Sequence, residues 1–405
     1  MNPWICCQLG AREHYAIPRV LYHQEQLHTL FTDMWVESNH FFKYLPSNFL
    51  QPLRDRYHPE LANANIKHCF LKSLVFEFEQ KIHKISGWDL ILKRNEWFQS
   101  YVINQIRQNK YFQKLSPKPI LFSYSYAALE IFQFAKERGW TLVLGQIDPG
   151  IQENEIVQQE HSRHPDLIKF NHSNPPSCYW ETWKQECKLA DHIIVNSTWS
   201  YDLLREAGIT PSKIKIVPLV YTPAAEAVGF KRTYPQSFSG SRPLKVLFLG
   251  QVCLRKGIAA ILEAIPLLKN LPIELTIVGA PQITIPNFYR NHPQIFWVGQ
   301  VPRSQAQSYY QSSDLFLFPT LSDGYGLTQL EAQSWKLPII ASPYCGSVVE
   351  HNHNGILLPE VTGQHIADAL IQCLESPQLL QHFSQNANMG ISIFELYRSL
   401  SNIVI

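Results

Sequence analysis

Short apolar runs recur along this chain, set apart by longer stretches of helical periodicity, and they fall into two series. The first series is WICCQ (4–8), DLILK (89–93), ILFSY (120–124), TLVLG (141–145), HIIVN (192–196) and KIVPL (215–219). The second is LKVLFLG (244–250), IELTIVG (273–279), IFWVG (295–299), LFLFP (315–319) and LPIIAS (337–342). Runs this short, and apolar on both faces, suit strands of a parallel sheet covered by crossover helices. Residues 127–138, 199–207 and 258–268 carry the amphipathic pattern of such helices. Two series therefore predict an α/β protein with two doubly wound, Rossmann-like domains. A chain of 405 residues is in any case too long for a single core.

The stretch TPAAEAVGFKRTYPQSFSGSRP (222–243) is rich in Pro, Gly and Ser and reads as a linker. The expected division is thus 1–221, a linker at 222–243, 244–385, and a terminal helix at 386–405. In that last segment Ile393, Leu396, Leu400 and Ile403 recur at helical spacing. This predicts a helix packed back onto the first domain. Residues 30–85 are the least legible, and LVFEFEQKIHKI suits a helix or a strand equally.

Charge and hydropathy narrow the function. Basic and acidic residues number 24 and 22 over 1–220, and 11 and 11 over the remainder. Neither half has the basic excess of a nucleic-acid-binding domain. No apolar run reaches the roughly 18 residues of a membrane span. The start, MNPWICCQLGAREHY, lacks the basic and apolar regions of a signal peptide. The eight cysteines (6, 7, 69, 178, 187, 253, 345, 373) form no CxxC pair and several lie in strand-like runs. Reduced thiols in a cytoplasmic protein are expected. No basic amphipathic helix stands out, so peripheral contact with a membrane is left open rather than required. His14, His40, His58, His68 and His83 lack ligand spacing and there is no DxD-type motif, so no metal is expected.

Two segments carry chemistry. In FLGQVCLRKGI a strand ends at Leu249, Gly250 opens a tight loop, and Lys256-Gly257 precede an amphipathic helix. A loop entering a helix N-terminus offers backbone N–H groups and partial positive charge, and Arg255 and Lys256 add two cations. That combination suits a diphosphate. It matches neither GxxxxGK[ST] nor GxGxxG, which weakens a P-loop, nicotinamide or flavin reading. In LFLFPTLSDGYGLTQLEAQSWKLPIIAS a Gly-rich loop joins a strand to a short helix starting near Leu327. Gly324 and Gly326 allow close backbone approach, Asp323 lies on the loop, and Glu331 lies about one turn into the helix.

Together these segments resemble the nucleotide-sugar site of retaining glycosyltransferases with the GT-B fold, the group 1 (family 4) class. The resemblance is clearest over 244–342. Members of that class carry a Gly-Arg…Lys-Gly loop and an acidic-x7-Glu motif around a GFG-like turn. Here Gly250, Lys256 and Gly257 match the first, and Asp323, Gly324, Tyr325, Gly326 and Glu331 match the second. The resemblance implies that Lys256 and a nearby cation bind the donor pyrophosphate. It implies Asp323 near the transferred sugar, Glu331 on the ribose, and amides of Tyr325–Leu327 facing the phosphates. Gln251 stands where the class has Arg, so Arg255 is expected to supply the missing charge. Asp323 replaces the usual Glu, and PLVYTP (218–223) replaces a Pro-Asn-Gly turn.

The first domain would then hold the acceptor. The loop GAREHYAIPR (10–19) makes Arg12, Glu13 and His14 candidates for contact, and Asp148 in QIDPG a candidate for orienting an acceptor hydroxyl. Glu153 and Glu155, just beyond, read as solvated. Tyr124, Tyr126, Trp180 and Trp183 suit either a sugar platform or core. The expected partners are a nucleotide sugar and a glycan, lipid-linked or small-molecule acceptor, without nucleic acid and without a cofactor. The competing readings are a non-catalytic nucleotide-sugar-binding protein and another GT-B activity such as a sugar-nucleotide epimerase.

Overall fold

The computed structural model describes residues 2–36, 56–169, 174–388, 390 and 393–404. His40 lies outside these residues, as does the side chain of Ile393. The strands are β1 (Trp4–Gln8), β2 (Leu27–Thr32), β3 (Ile66–His68), β4 (Ile120–Tyr124), β5 (Thr141–Gln146), β6 (His192–Val195) and β7 (Ile214–Ile216), followed by β8 (Leu244–Leu249), β9 (Ile273–Val278), β10 (Ile295–Gly299), β11 (Leu315–Phe318), β12 (Ile339–Ala341) and β13 (Gly355–Leu357). They build two sheets, in the orders β3-β2-β1-β4-β5-β6-β7 and β10-β9-β8-β11-β12-β13. Pairing within both is parallel. The two doubly wound sheets are those of the GT-B fold.

The strands form where both faces can be buried. Every residue of β1, β4 and β11 is buried. Cys6 and Cys7 on β1 pair with Leu30 and Phe31 on β2 and act there as small apolar residues. Helices cover the faces as their patterns predict, at Leu129–Lys136, Thr198–Glu206 and Ile258–Leu267.

One expectation is corrected and two are refined. The run DLILK is not a strand but part of a long helix, Gly87–Gln108. Its register is set further on, where Phe98, Val102, Ile103 and Ile106 are buried, so a short apolar run misleads. The ambiguous LVFEFEQKIHKI lies mostly within the helix Phe70–Ile82. The linker is also not loose. Arg232, buried within it, donates to the carbonyls of Ser313, Tyr310 (2.7 Å) and Trp335 (3.1 Å), which pins the stretch to the second domain. Strand β2, LHTLFT, escaped detection because its polar residues obscure the pattern. Thr29 and Thr32 are buried in it, and Thr29 accepts from Asn65 at 2.8 Å.

The terminal helix Ile393–Val404 returns to the first domain. Leu396, Leu400 and Ile403 are buried in a cluster with Ile17, Val20 and Leu21, and Tyr397 accepts from Gln26 at 3.2 Å.

Candidate active site at the domain interface

Strand order brings the two motif loops together. β8 and β11 are neighbours, yet the chain leaves β8 for β9 on one side and β11 for β12 on the other. The loops that follow diverge and open a crevice at the strand ends, where open α/β sheets take ligands. After β8, Leu254–Lys256 forms a tight turn and Gly257 leads into the helix Ile258–Leu267. Gly257 is required twice over. Its φ is +74°, and a Cβ there would run into the Pro319 carbonyl oxygen. After β11, Gly326 (φ +84°) caps the helix Leu327–Ser334, at the predicted start.

Between the loops lies a cavity of about 310 Å³, lined by Gly250, Gln251, Arg255, Lys256, Asp323 and Thr328 among others. The Lys256 ammonium pairs with the Asp323 carboxylate and sits 5.0 Å from the centre of the Phe318 ring. Burial alone would raise the Asp323 pKa. The Lys256 charge, followed by that of Arg255, overcomes this and holds it below the usual aspartate range. Glu331 stands in a separate group. It accepts from the Tyr310 hydroxyl at 2.9 Å and from Arg303 at 3.3 Å. Arg303 also donates across the domain interface to His14 Nε2 at 2.5 Å.

Arg255 lines the cavity, but its charge is already matched. It donates to the Ser322 carbonyl at 2.8 Å, and its guanidinium lies 3.8 Å from Glu153 and 4.0 Å from Asp323. Glu153 is therefore not solvated, contrary to the expectation from sequence. The helix Ile151–Arg163 points its first turn at the second domain, and Glu153 accepts from the Ser322 hydroxyl at 2.8 Å. The Trp199 indole donates to the same hydroxyl at 3.0 Å. Burial pushes the Glu153 carboxyl up to about 7 against the opposing pull of Arg255.

The remaining candidates are placed as follows. Asp148 accepts from Tyr126 (2.6 Å), Gln146 (2.9 Å) and the Gly150 amide (2.9 Å), so its carboxylate holds its own turn. Glu13 accepts from Asn196 at 3.0 Å and burial raises its pKa. Arg12 lies 5.7 Å from the centre of the Tyr124 ring. Glu13, His14 and Tyr15 all have positive φ (51°, 50° and 59°), an unusual run for residues with side chains. Tyr325 is buried beside Leu219, Leu330 and Val348, so its ring belongs to the core. Leu327 packs against the same cluster. The loop glycines also serve packing. A Cβ at Gly324 would strike the Ile147 carbonyl of the first domain, and one at Gly326 the Phe318 ring. Trp183 is fully buried and donates to Gln146 at 2.9 Å, while Tyr126 stacks on Tyr179 at 4.6 Å. These aromatics form core rather than an open platform.

Sequence reasoning missed Arg303, Tyr310, Ser322 and the role of Glu153. Only Glu153 left a trace, as an acid in the first turn of a helix after Asp-Pro-Gly.

With this geometry in hand, the comparisons with known proteins are decisive for the second domain. A model of the family described as glycosyl transferases group 1 matches residues 231–389. Over those residues the chain is similar to the group 1 glycosyltransferases. The uncharacterized glycosyltransferase MJ1069 of Methanocaldococcus jannaschii is 26% identical over 216 residues, covering 49% of this chain and 53% of that protein. A D-inositol 3-phosphate glycosyltransferase of Corynebacterium urealyticum is 27% identical over 246 residues, covering 52% and 57%. The chain thus spans about half the length of the curated relatives it matches. Over its whole length the fold is similar to that of Anabaena Alr3699/HepE in complex with UDP, at a TM-score of 0.60 and 12% identity over 99% of both chains.

Proposed function

We propose that the protein transfers a sugar from a nucleoside diphosphate sugar to a hydroxyl acceptor with retention of anomeric configuration. The observation that carries this reading is the Lys256–Asp323 pair lining a 310 Å³ cavity between two helix N-termini at the switch point of the second sheet. In this reading Lys256 and the loop amides stabilise the negative charge that develops on the diphosphate as the sugar–phosphate bond breaks. Asp323 holds hydroxyls of the transferred sugar, and Glu331, steadied by Tyr310 and Arg303, takes the ribose. The acceptor enters from the first domain, past Arg12, His14 and the turn around Asp148. A donor phosphate oxygen accepts its proton, so neither a strong protein base nor a metal is required.

The test is a donor panel on the purified chain. HepE binds UDP and UDP-glucose in its crystal structures, so UDP-glucose is the first donor, followed by GDP-, ADP- and dTDP-sugars. A true donor raises the melting temperature and releases nucleoside diphosphate, and both effects disappear in Lys256→Ala and Glu331→Ala. At 100 times its Kd a ligand adds about 2.7 kcal/mol of stability. Release that persists in a chelator supports the metal-independent reading. Stabilisation without release, with acceptors present, identifies a nucleotide-sugar-binding protein instead. No response to any donor overturns the proposal.

A further inference from the structure

The loop that carries Asp323 is gripped from the other domain. Ser322, which precedes Asp323 after β11, is fully buried, and its hydroxyl spends its donor and one acceptor role across the domain interface. It donates to Glu153 on the helix Ile151–Arg163 at 2.8 Å and accepts from the Trp199 indole on the helix Thr198–Glu206 at 3.0 Å. On the far side of Asp323, the Gly324 carbonyl accepts from Ser200 of the same first-domain helix at 3.4 Å. Trp199 also packs its ring on Tyr344, with centroids 4.9 Å apart, and the Tyr344 carbonyl accepts from the Asp323 amide at 3.0 Å. The Ser322 carbonyl takes Arg255 at 2.8 Å. Asp323 is thus bracketed by contacts that end on Glu153, Trp199 and Ser200, all of the first domain.

A hydroxyl with donor and acceptor both engaged in a dry interface fixes its loop, because either bond can be given up only by leaving a buried polar group unpaired. We propose that Ser322 is a positioning residue for sugar transfer: held by Glu153 and Trp199, it sets the loop that presents Asp323 to the transferred sugar, on the donor reading given above. The first domain then serves the donor as well as the acceptor. Glu331 stands outside this chain of contacts, held by Tyr310 and Arg303 within the second domain. Disturbing Ser322 therefore slows transfer and spares nucleotide binding, since misplacing a reacting group by about 1 Å costs about 10²-fold in rate.

Ser322→Ala, Trp199→Phe and Glu153→Ala are compared with the wild-type full chain on UDP-, GDP-, ADP- and dTDP-sugars. In each variant kcat for nucleoside diphosphate release should fall about tenfold to a hundredfold. Donor KM should stay within about threefold, and the rise in melting temperature given by the nucleoside diphosphate alone should persist. A general loss of folding would not produce that split. Glu153→Gln keeps an acceptor for the Ser322 hydroxyl and should recover most of the turnover that Glu153→Ala loses. A second readout needs no donor. Amide hydrogen exchange over residues 320–326 should quicken about tenfold in Ser322→Ala, because the Asp323 amide is released more often from Tyr344. Wild-type turnover in all three alanine and phenylalanine variants overturns the inference while leaving the donor reading intact, as does unaltered exchange over 320–326. Absence of turnover by the wild type itself, with every donor, overturns the donor reading and the role of Ser322 together.

Discussion

The two sheets use the polar side chains at their strand ends in opposite ways. In the second domain, Lys256 and Asp323 pair on loops that bound a cavity, with Glu331 in a separate group on the following helix. In the first domain the corresponding residues are taken up by the fold. Asp148 holds its own turn, Glu13 is tied to Asn196, and buried Glu186 accepts from the amides of Tyr126, Ala128 and Leu129 at 2.7, 2.8 and 3.1 Å. The difference teaches that acidic residues at strand ends do not by themselves make a site. What matters is whether they face a cavity or are already held by the surrounding fold.

The sharpest break in that comparison comes from two glycines. Gly257→Ala should lower stability by about 3 kcal/mol or more, because a left-handed backbone and a clash with Pro319 act together. Gly324→Ala meets the other domain instead, at Ile147. It should leave the melting transition of the second domain nearly unchanged but enlarge the radius of gyration in solution scattering. Equal loss of stability in both variants would mean that the domains are not separable at this contact.

Next in size is Lys256→Ala. Turnover should fall by about 10²-fold, read as nucleoside diphosphate release. Stability should also fall by up to about 3 kcal/mol in chemical denaturation, since buried Asp323 loses its closest cation and keeps only Arg255 at 4.0 Å. Adding Asp323→Asn should restore most of the stability and none of the turnover. That outcome separates the electrostatic role of the pair from its proposed role with donor.

Glu153 joins the two regions and gives a pH signature. Its carboxyl is raised from the ordinary glutamate value to about 7, with burial as the main cause. A raised acid stabilises the fold while protonated, so its contribution is complete below about 4.5 and is lost as pH rises toward 7. Glu186, also raised to about 7 by burial, acts in the same direction. Glu153→Gln should therefore flatten only part of the decline in stability between pH 5 and 7.5, measured by urea titration at a series of pH values. A slope equal to that of the wild type would place Glu153 in water. The smallest effect is expected for Arg303→Ala, whose side chain is 52% exposed. Donor KM should rise by about tenfold or less with kcat nearly unchanged, because Tyr310 still holds Glu331.

The second domain was legible in sequence because its information is local. Each strand there is a short apolar run, and the Lys256-Gly257 and Asp323–Leu327 segments place cation, glycine and helix start within a few residues. The helix start at Leu327 follows from Gly326 alone. The first domain was less legible because its elements are defined by distant partners. The run DLILK becomes helical because Phe98, Val102 and Ile106 downstream fix the buried face. Strand β2 forms although its threonines are polar, because Asn65 and Asp33 satisfy their hydroxyls.

The sequence by itself determined the α/β class, the two sheets and the segments that bear Lys256, Asp323 and Glu331, since periodicity and turn chemistry act over a few residues. Only the tertiary structure decided which charges meet. That Arg255 answers Glu153 and that Arg303 reaches both Glu331 and His14 depend on how the two sheets and their covering helices come to lie in space. Electrostatic and packing contacts between residues tens to hundreds of positions apart leave no periodic mark on the chain.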